Sequence, residues 1–334
     1  MHSSTSGSDW LTPARAIWLL AISLLVYVSA VEVATRIALP RFSEELQRET
    51  RDHRAAVSLH ADSRSVLLVG NSLLLYAIDR SQLTAAMGPA YDVVLYPVES
   101  TTYLDWYFGL RRLFAEGARP RLVVLCLNAT NVLSDATEGD TFAHALMRLA
   151  DLPAVARAGH LDLMTASEYF FANRSAFLGD RAHLHHGLMS RWLPNASLLA
   201  RYLPIQHPAS LQIGPAGIER EVERLQRVRE LSAAYGAQFI FLVPPSPNRA
   251  DPAQAIRSAA QNAGISVLVP YVPGELPGTA FIDGFHLNQR GAVQFTDRVA
   301  RALLDPADWN DESQLSTSKG NPLPGTAQKA AGHL

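Results

Sequence analysis

The chain has a single cysteine, no surplus of basic residues and no glycine-rich loop, and each shortage closes off a class of function. One cysteine, Cys126, excludes an intramolecular disulfide; set in the apolar run RLVVLCLN, it reads as a small buried core residue. With 29 Lys and Arg against 31 Asp and Glu, the chain lacks the basic excess that phosphate backbones demand, so no nucleic-acid partner is expected. The turn after the first apolar run lacks the repeated glycines that cradle a phosphate, which weighs against a flavodoxin-like nucleotide binder. Histidines cluster once, in HLHH from His183 to His186, but no Cys or tight acidic partner flanks them. That stretch reads as a solvated helix end or a substrate-binding face, and neither a metal nor another cofactor is expected.

What is present is apolar surface. At 334 residues and 48% hydrophobic, the chain can bury a substantial core as one large or two small domains. The run AIWLLAISLLVYVSAV, Ala16 to Val31, carries no charge, and its apolar character continues past Glu32 to Ala34. Nineteen such residues in a helix measure roughly 28 Å, close to one hydrocarbon core, which predicts a transmembrane anchor over 15–37. The rival reading is a cleaved signal peptide with Val28-Ser29-Ala30 as its cleavage site; the run is long for that, and only Arg15 precedes it. Arg36, Arg41, Arg48, Arg51 and Arg54 follow the span, and read alone they favour a cytoplasmic body.

Residues 1–14 are polar and expected to be disordered, 38–62 are charged and read as a stalk, and 309–334 read as a disordered tail. Between them, unbroken apolar runs at 65–70, 91–96, 121–127, 238–243 and 265–270 alternate with helix-like segments at 73–86, 102–116, 218–235 and 252–263. A last helix follows Asn288, a good N-cap. Continuous rather than alternating apolar runs suit strands covered on both faces, so the expected body, 63–308, is a parallel sheet in a three-layer α/β/α fold. Residues 134–215 break the rhythm and read as a helical insertion over the sheet's carboxyl edge, a lid or acceptor-binding element.

The chemistry concentrates at that edge. In SVLLVGNSLLLYAID, Ser72 sits where the first strand should end and the first helix begin, and a hydroxyl there is placed to act as a nucleophile. In AFIDGFHLNQRG, Asp283 and His286 stand three apart just before the final helix. A carboxylate at that spacing can hold an imidazole's tautomer while the far ring nitrogen takes a serine proton. Ser72 alone reads as a helix cap, and an isolated Asp-x-x-His as a surface pair. Their arrival together on one sheet edge is what points to chemistry.

Those two blocks resemble the SGNH/GDSL hydrolase superfamily, and within it the membrane-anchored, cell-envelope branch that includes alginate-type O-acetylation and teichoic-acid D-alanylation proteins. Gly70-Asn71-Ser72 stands where that family has Gly-Asp-Ser, and Asp283 with His286 matches its Asp-x-x-His. The resemblance implies the flavodoxin-like SGNH fold and a Ser72, His286, Asp283 triad. It also implies an oxyanion held by the Ser72 amide, a backbone amide near Ser100, and Asn131 or Asn128, with Asn131 slightly preferred. The chain departs from the pattern by Asn71 and by YPVESTTY, which has no glycine after the second strand. In VPPSPNR, Asn248 and Arg249 are candidate substrate contacts, as is Arg174 in the insertion. The implied activity is an esterase or O-acyl(acetyl)transferase on a cell-surface polysaccharide, anchored in the inner membrane with its body in the periplasm. Its implied partners are a glycan and a polytopic membrane acyltransferase. The alternative is a non-catalytic binding or scaffold protein of the same fold.

Overall fold

The computed structural model describes residues 12–61, 64–185 and 213–304; the two polar ends, His186 and the second part of the insertion lie outside the described residues. Five strands, β1 (Arg64–Gly70), β2 (Tyr91–Pro97), β3 (Leu122–Cys126), β4 (Gln238–Leu242) and β5 (Ser266–Leu268), form one sheet. Every pairing is parallel and the order is β2-β1-β3-β4-β5. The strands are apolar end to end because both faces are covered. On one face Leu67, Val69, Val123, Leu125 and Phe241 share a core with the helices Tyr103–Glu116, Pro215–Ala234 and Ala253–Asn262. On the other, Leu68, Val124, Cys126 and Ile240 pack against Ser72–Ala77, Arg80–Met87 and Gln289–Leu304. The expected three-layer α/β/α architecture is therefore present.

The segment expected as one helix over 73–86 is two, α3 (Ser72–Ala77) and α4 (Arg80–Met87). The break has a local cause: Asp79 caps α4, its carboxylate accepting from the Gln82 amide at 2.9 Å, while its own amide donates to Thr296 at 2.9 Å.

At the N-terminus α1 runs from Pro13 to Phe42, opened by Thr12 as its cap and Pro13 at its first position. It is the one described helix long and apolar enough to cross a membrane, and none of its most apolar stretch is buried against the body. The segment read as a stalk is not free of the body. Ser43 caps α2 (Glu44–Val57), which lies along β2 and carries a fully buried Asp52 whose carboxylate takes two bonds from Arg80, at 2.9 and 2.6 Å.

The described part of the insertion is helical, and Phe142, Leu146, Val155, Tyr169 and Ala172 lie in the same core as the helix Tyr103–Glu116. It also braces the foot of α1. The Glu32 carboxylate accepts from the Ser175 hydroxyl at 2.7 Å and from the amides of Ala176 and Phe177 at 2.8 and 3.2 Å. That role explains an acidic residue at the end of an otherwise apolar run. His183, read from sequence as solvated, is buried instead, within 3.4 Å of Glu45 and 3.7 Å of Glu49.

Candidate active site

Parallel pairing sets the edge of the sheet in register. Gly70 pairs with Pro97 on one side and Cys126 on the other, and Cys126 pairs with Leu242. The residues two positions further on, Glu99, Ser72, Asn128 and Pro244, therefore leave the sheet side by side at its carboxyl edge, where open α/β sheets bind their ligands. Asn71 turns the chain there: its side chain accepts from the Leu73 amide at 3.0 Å as the cap of α3 and donates to the Thr101 carbonyl at 3.1 Å. Thr101 is itself held by the Trp106 indole at 2.8 Å. Asn71, 3% exposed, thus ties the Ser72 turn to the loop after β2. A neutral amide can accept and donate at once, as this double role requires.

Asp283 and His286 arrive on a tight turn. Its ends are tied by an antiparallel bridge between Phe281 and Leu287 and by a 2.8 Å bond from the Ile282 amide to the His286 carbonyl. Gly284 sits at its centre with φ 92°, a conformation side-chain-bearing residues avoid. The Asp283 Oδ1 accepts the amides of Phe285 and His286 at 3.2 and 2.9 Å, and Oδ2 accepts from His286 Nδ1 at 2.8 Å. Burial works to raise the pKa of this carboxyl, but those bonds from His286 and Phe285 outweigh it and hold the group below the usual carboxylate range. Asp283 is therefore charged at neutral pH, which makes Nδ1 the donor and leaves Nε2 as the acceptor. The Ser72 Oγ lies 2.9 Å from that Nε2. Ser72, His286 and Asp283 thus form a continuous hydrogen-bonded line.

Two aromatic rings hold the imidazole. Tyr76 lies 4.7 Å and Phe285 4.1 Å from its centroid. Neither was singled out from sequence, although the signal existed: Tyr76 is four residues beyond Ser72 on one helix, so both side chains share a face.

The loop after β2 has no glycine, yet its backbone passes through the left-handed region. Ser100 has φ 59°, in the left-handed region glycine normally fills. We expect Ser100→Gly to hold or raise stability by up to about 1 kcal/mol, and the β-branched Ser100→Val to lower it by about 1–2 kcal/mol. Chemical denaturation of the two variants beside the parent checks both signs.

Of the two asparagines after β3, the register favours the one with less weight in the sequence reading. Asn128 stands level with Ser72, caps the helix Ala129–Leu133 by accepting the Asn131 amide at 2.8 Å, and lines a cavity beside the triad. Asn131 is one turn into that helix and does not line the cavity. The cavity measures about 60 Å³ and is walled by Leu73 and Phe285, the immediate neighbours of Ser72 and His286.

Three expected substrate contacts are placed elsewhere. The Asn248 carbonyl oxygen folds back onto the Ala250 amide at 3.0 Å, a turn bond, and the side chain of Arg249 lies over Gly274. Neither lines the cavity; Pro244, Pro245, Ser246 and Pro247 from the same loop do. Arg174 ends the helix Leu163–Arg174 beside α1, its carbonyl accepting from Arg36 at 3.2 Å. None of the described insertion lines the cavity beside Ser72, so its role as a lid there is not supported by the described residues.

No protein-family model and no curated protein matches the chain. Among solved structures it is similar to LAE5, an alpha/beta hydrolase enzyme from the metagenome of Lake Arreo, Spain, at 13% identity over 75% of this chain and 99% of that one, with a TM-score of 0.37. So loose an overlap bears on neither fold nor chemistry, and both stand on this chain's own strands and side chains.

Proposed function

We propose that the protein is a membrane-anchored serine enzyme of acyl esters, of the SGNH type, working on a cell-surface polysaccharide at the extracytoplasmic face of the inner membrane. The observation that carries this reading is the unbroken line from Ser72 Oγ through His286 to Asp283, at 2.9 and 2.8 Å. His286 Nε2 takes the Ser72 proton as Oγ bonds to the ester carbonyl carbon. Asp283 stabilises the imidazolium, and the Ser72 amide, a backbone amide at Ser100 and the Asn128 side chain are the donors assigned to the oxyanion, with Asn131 as the alternative. As the ester C–O bond breaks, the imidazolium protonates the leaving alkoxide. Water or a sugar hydroxyl then gives its proton to His286 and attacks the acyl-serine, and the proton returns to Ser72 Oγ. Hydrolysis follows from the first acceptor, O-acyl transfer from the second.

Anchoring favours transfer, and the placement of α1 supports it. Thr35, Arg36 and Pro40 of α1 line a cavity of about 340 Å³ together with Tyr96, near the carboxyl end of β2, and Arg48 pairs with Glu99 just beyond it at 3.3 Å. The anchor therefore meets the body at the same sheet edge that carries Ser72, within reach of a membrane-borne donor such as a polytopic acyltransferase partner. The test is fluorophosphonate labelling of the full-length protein in detergent. An adduct on Ser72 that is absent from Ser72→Ala supports the reading. A well-folded protein that takes no label overturns it in favour of a glycan-binding scaffold.

A further inference from the structure

The helix Leu163–Arg174 of the insertion carries apolar residues on two sides, and only one of those sides is buried. Tyr169 and Ala172 lie in the core shared with the helix Tyr103–Glu116. By helical spacing Leu163, Met164, Phe170 and Phe171 fall on the opposite arc, and all four are exposed, Leu163 by 85% and Met164 by 73%. Ser167, in the middle of that arc, does not break it, because its hydroxyl turns back onto the Leu163 carbonyl at 2.7 Å. Glu168 stands at the edge of the arc and Arg174 at its end. The next helix, Ala176–Gly179, adds Phe177 and Leu178, also exposed. No described residue covers these six side chains. A helix apolar all round belongs in an interior, and a grouped apolar surface left open marks a place where something docks.

Resting on the anchored reading above, we infer that this face lies in the lipid headgroup layer of the membrane that α1 enters, as a second and shallower membrane contact. Where the face begins is what names lipid as its occupant. Glu32 is the first charge after the apolar run of α1, and it accepts from the Ser175 hydroxyl and from the amides of Ala176 and Phe177. One turn further on, Arg36 donates to the Arg174 carbonyl at 3.2 Å. The joint between the two insertion helices is thus fixed to α1 where its apolar run ends, the level at which the hydrocarbon of a spanned bilayer ends as well. Phe177 stands at that level, and Leu163–Arg174 leads away from it over about 18 Å, the length of its helix. The residue types suit this layer. Phe, Leu and Met form the face, and the exposed Arg174 at its end can lay its stem along apolar surface while its guanidinium meets a lipid phosphate. A body hung on one spanning helix can swivel about that helix, whereas a second contact to one side fixes its tilt. Because α1 meets the body at the carboxyl edge of the sheet, the contact holds Ser72 at a set height above the lipid, and the insertion orients the body rather than closing over the serine.

The test places a nitrobenzoxadiazole dye on four single variants of the full-length protein, reconstituted into vesicles of phosphatidylethanolamine and phosphatidylglycerol. Phe171→Cys and Phe177→Cys sample the face, Leu25→Cys the middle of the anchor, and Val272→Cys the loop after β5, at the far end of the sheet from β2. All four side chains are exposed, so no variant removes core packing, and the parent, whose one cysteine is the buried Cys126, is the labelling blank. Lipids carrying a nitroxide near the headgroup or near the chain end report contact and depth. The dyes at Phe171→Cys and Phe177→Cys are expected to shift to the blue of the dye at Val272→Cys. They should be quenched more by the headgroup nitroxide than by the chain-end one, matching burial about 5–10 Å into the boundary layer. The dye at Leu25→Cys should show the opposite preference. Quenching at Leu25→Cys with none on the face overturns the inference, leaves the anchor standing and assigns the face to a protein partner. A blue shift on the face without quenching also overturns it, since the cover is then a second copy or another part of this chain. Equal quenching at Val272→Cys means adsorption without orientation and overturns it too. No quenching at Leu25→Cys sinks the anchored reading itself, and the inference with it.

Discussion

Ser72→Ala is expected to lower kcat/KM for p-nitrophenyl acetate by about 10⁴-fold or more, with the thermal unfolding midpoint almost unmoved. The two halves of that expectation have different origins. The loss of rate follows from removing the atom that bonds to the acyl carbon, and what remains is catalysis by the oxyanion donors and by binding alone. The preserved fold follows from what the Ser72 hydroxyl touches, which is His286 Nε2 at 2.9 Å, while the turn itself is held by Asn71. His286→Ala should cost a similar factor. The double variant should be little worse than either single one, because serine and imidazole act as one unit and neither contributes without the other. Asp283→Asn is the sharper probe. The amide oxygen can still accept both backbone bonds that shape the turn, but the side chain no longer compels His286 Nδ1 to carry the proton, and a loss of about 10⁴ in kcat is expected for that tautomer error alone. Rates that fall by only a few-fold in all three variants would sink the nucleophilic reading.

Much of this architecture was legible because the signals were redundant. The apolar runs around Leu68, Val124 and Ile240 are unbroken, and a strand buried on both faces has no other way to be written. Ser72, Asp283 and His286 could be nominated from their places at the ends of such runs, since parallel strands bring all their carboxyl ends to one edge. The helix break at Asp79 was harder, because the whole segment is compatible with one helix and the Asp79 amide at its interruption is held by Thr296, more than 200 residues away in the chain.

The parts of the site that were missed are those fixed by tertiary contact. Ser100 carries no hint of φ 59°, since only the loop tied down by Asn71 and Trp106 imposes it. Arg174 is exposed at the end of the insertion helix that meets α1, away from the cavity beside Ser72, a placement that only the packing of the insertion reveals. Glu221 sits in a charged helix, among residues that read as a solvated face, and its burial comes from the strand and loops the helix lies against. Local patterns locate the backbone that carries a site. They say little about which polar side chain the fold turns inward.

Gly70→Ala should be strongly damaging although it touches no reacting group. A Cβ at Gly70 would lie 2.4 Å from the Cys126 carbonyl oxygen and 3.1 Å from the Leu74 Cβ. The first of these is backbone in the neighbouring strand and cannot swing aside as a flexible side chain would. Gly70 is paired on both flanks, with Cys126 and Pro97, and its carbonyl accepts from the Val98 amide at 3.0 Å, so relief requires β1 to move against β2 or β3. Overpacking of this kind costs about 1–3 kcal/mol where side chains can adjust, and a loss at or above the upper end is expected here. The displacement falls two residues from Ser72. A shift of about 1 Å in a nucleophile is worth about a hundredfold in rate, so kcat should fall even in the fraction that folds. Gly278→Ala is the matched control. A Cβ there meets nothing within 4 Å, and its stability effect should stay within about 0.5 kcal/mol. If Gly70→Ala matched that control in both denaturation and ester turnover, the close approach of β1 to β3 that aims Ser72 would be wrong. If it lost rate far beyond its loss of folded protein, the glycine would be what seats the nucleophile at the sheet's edge.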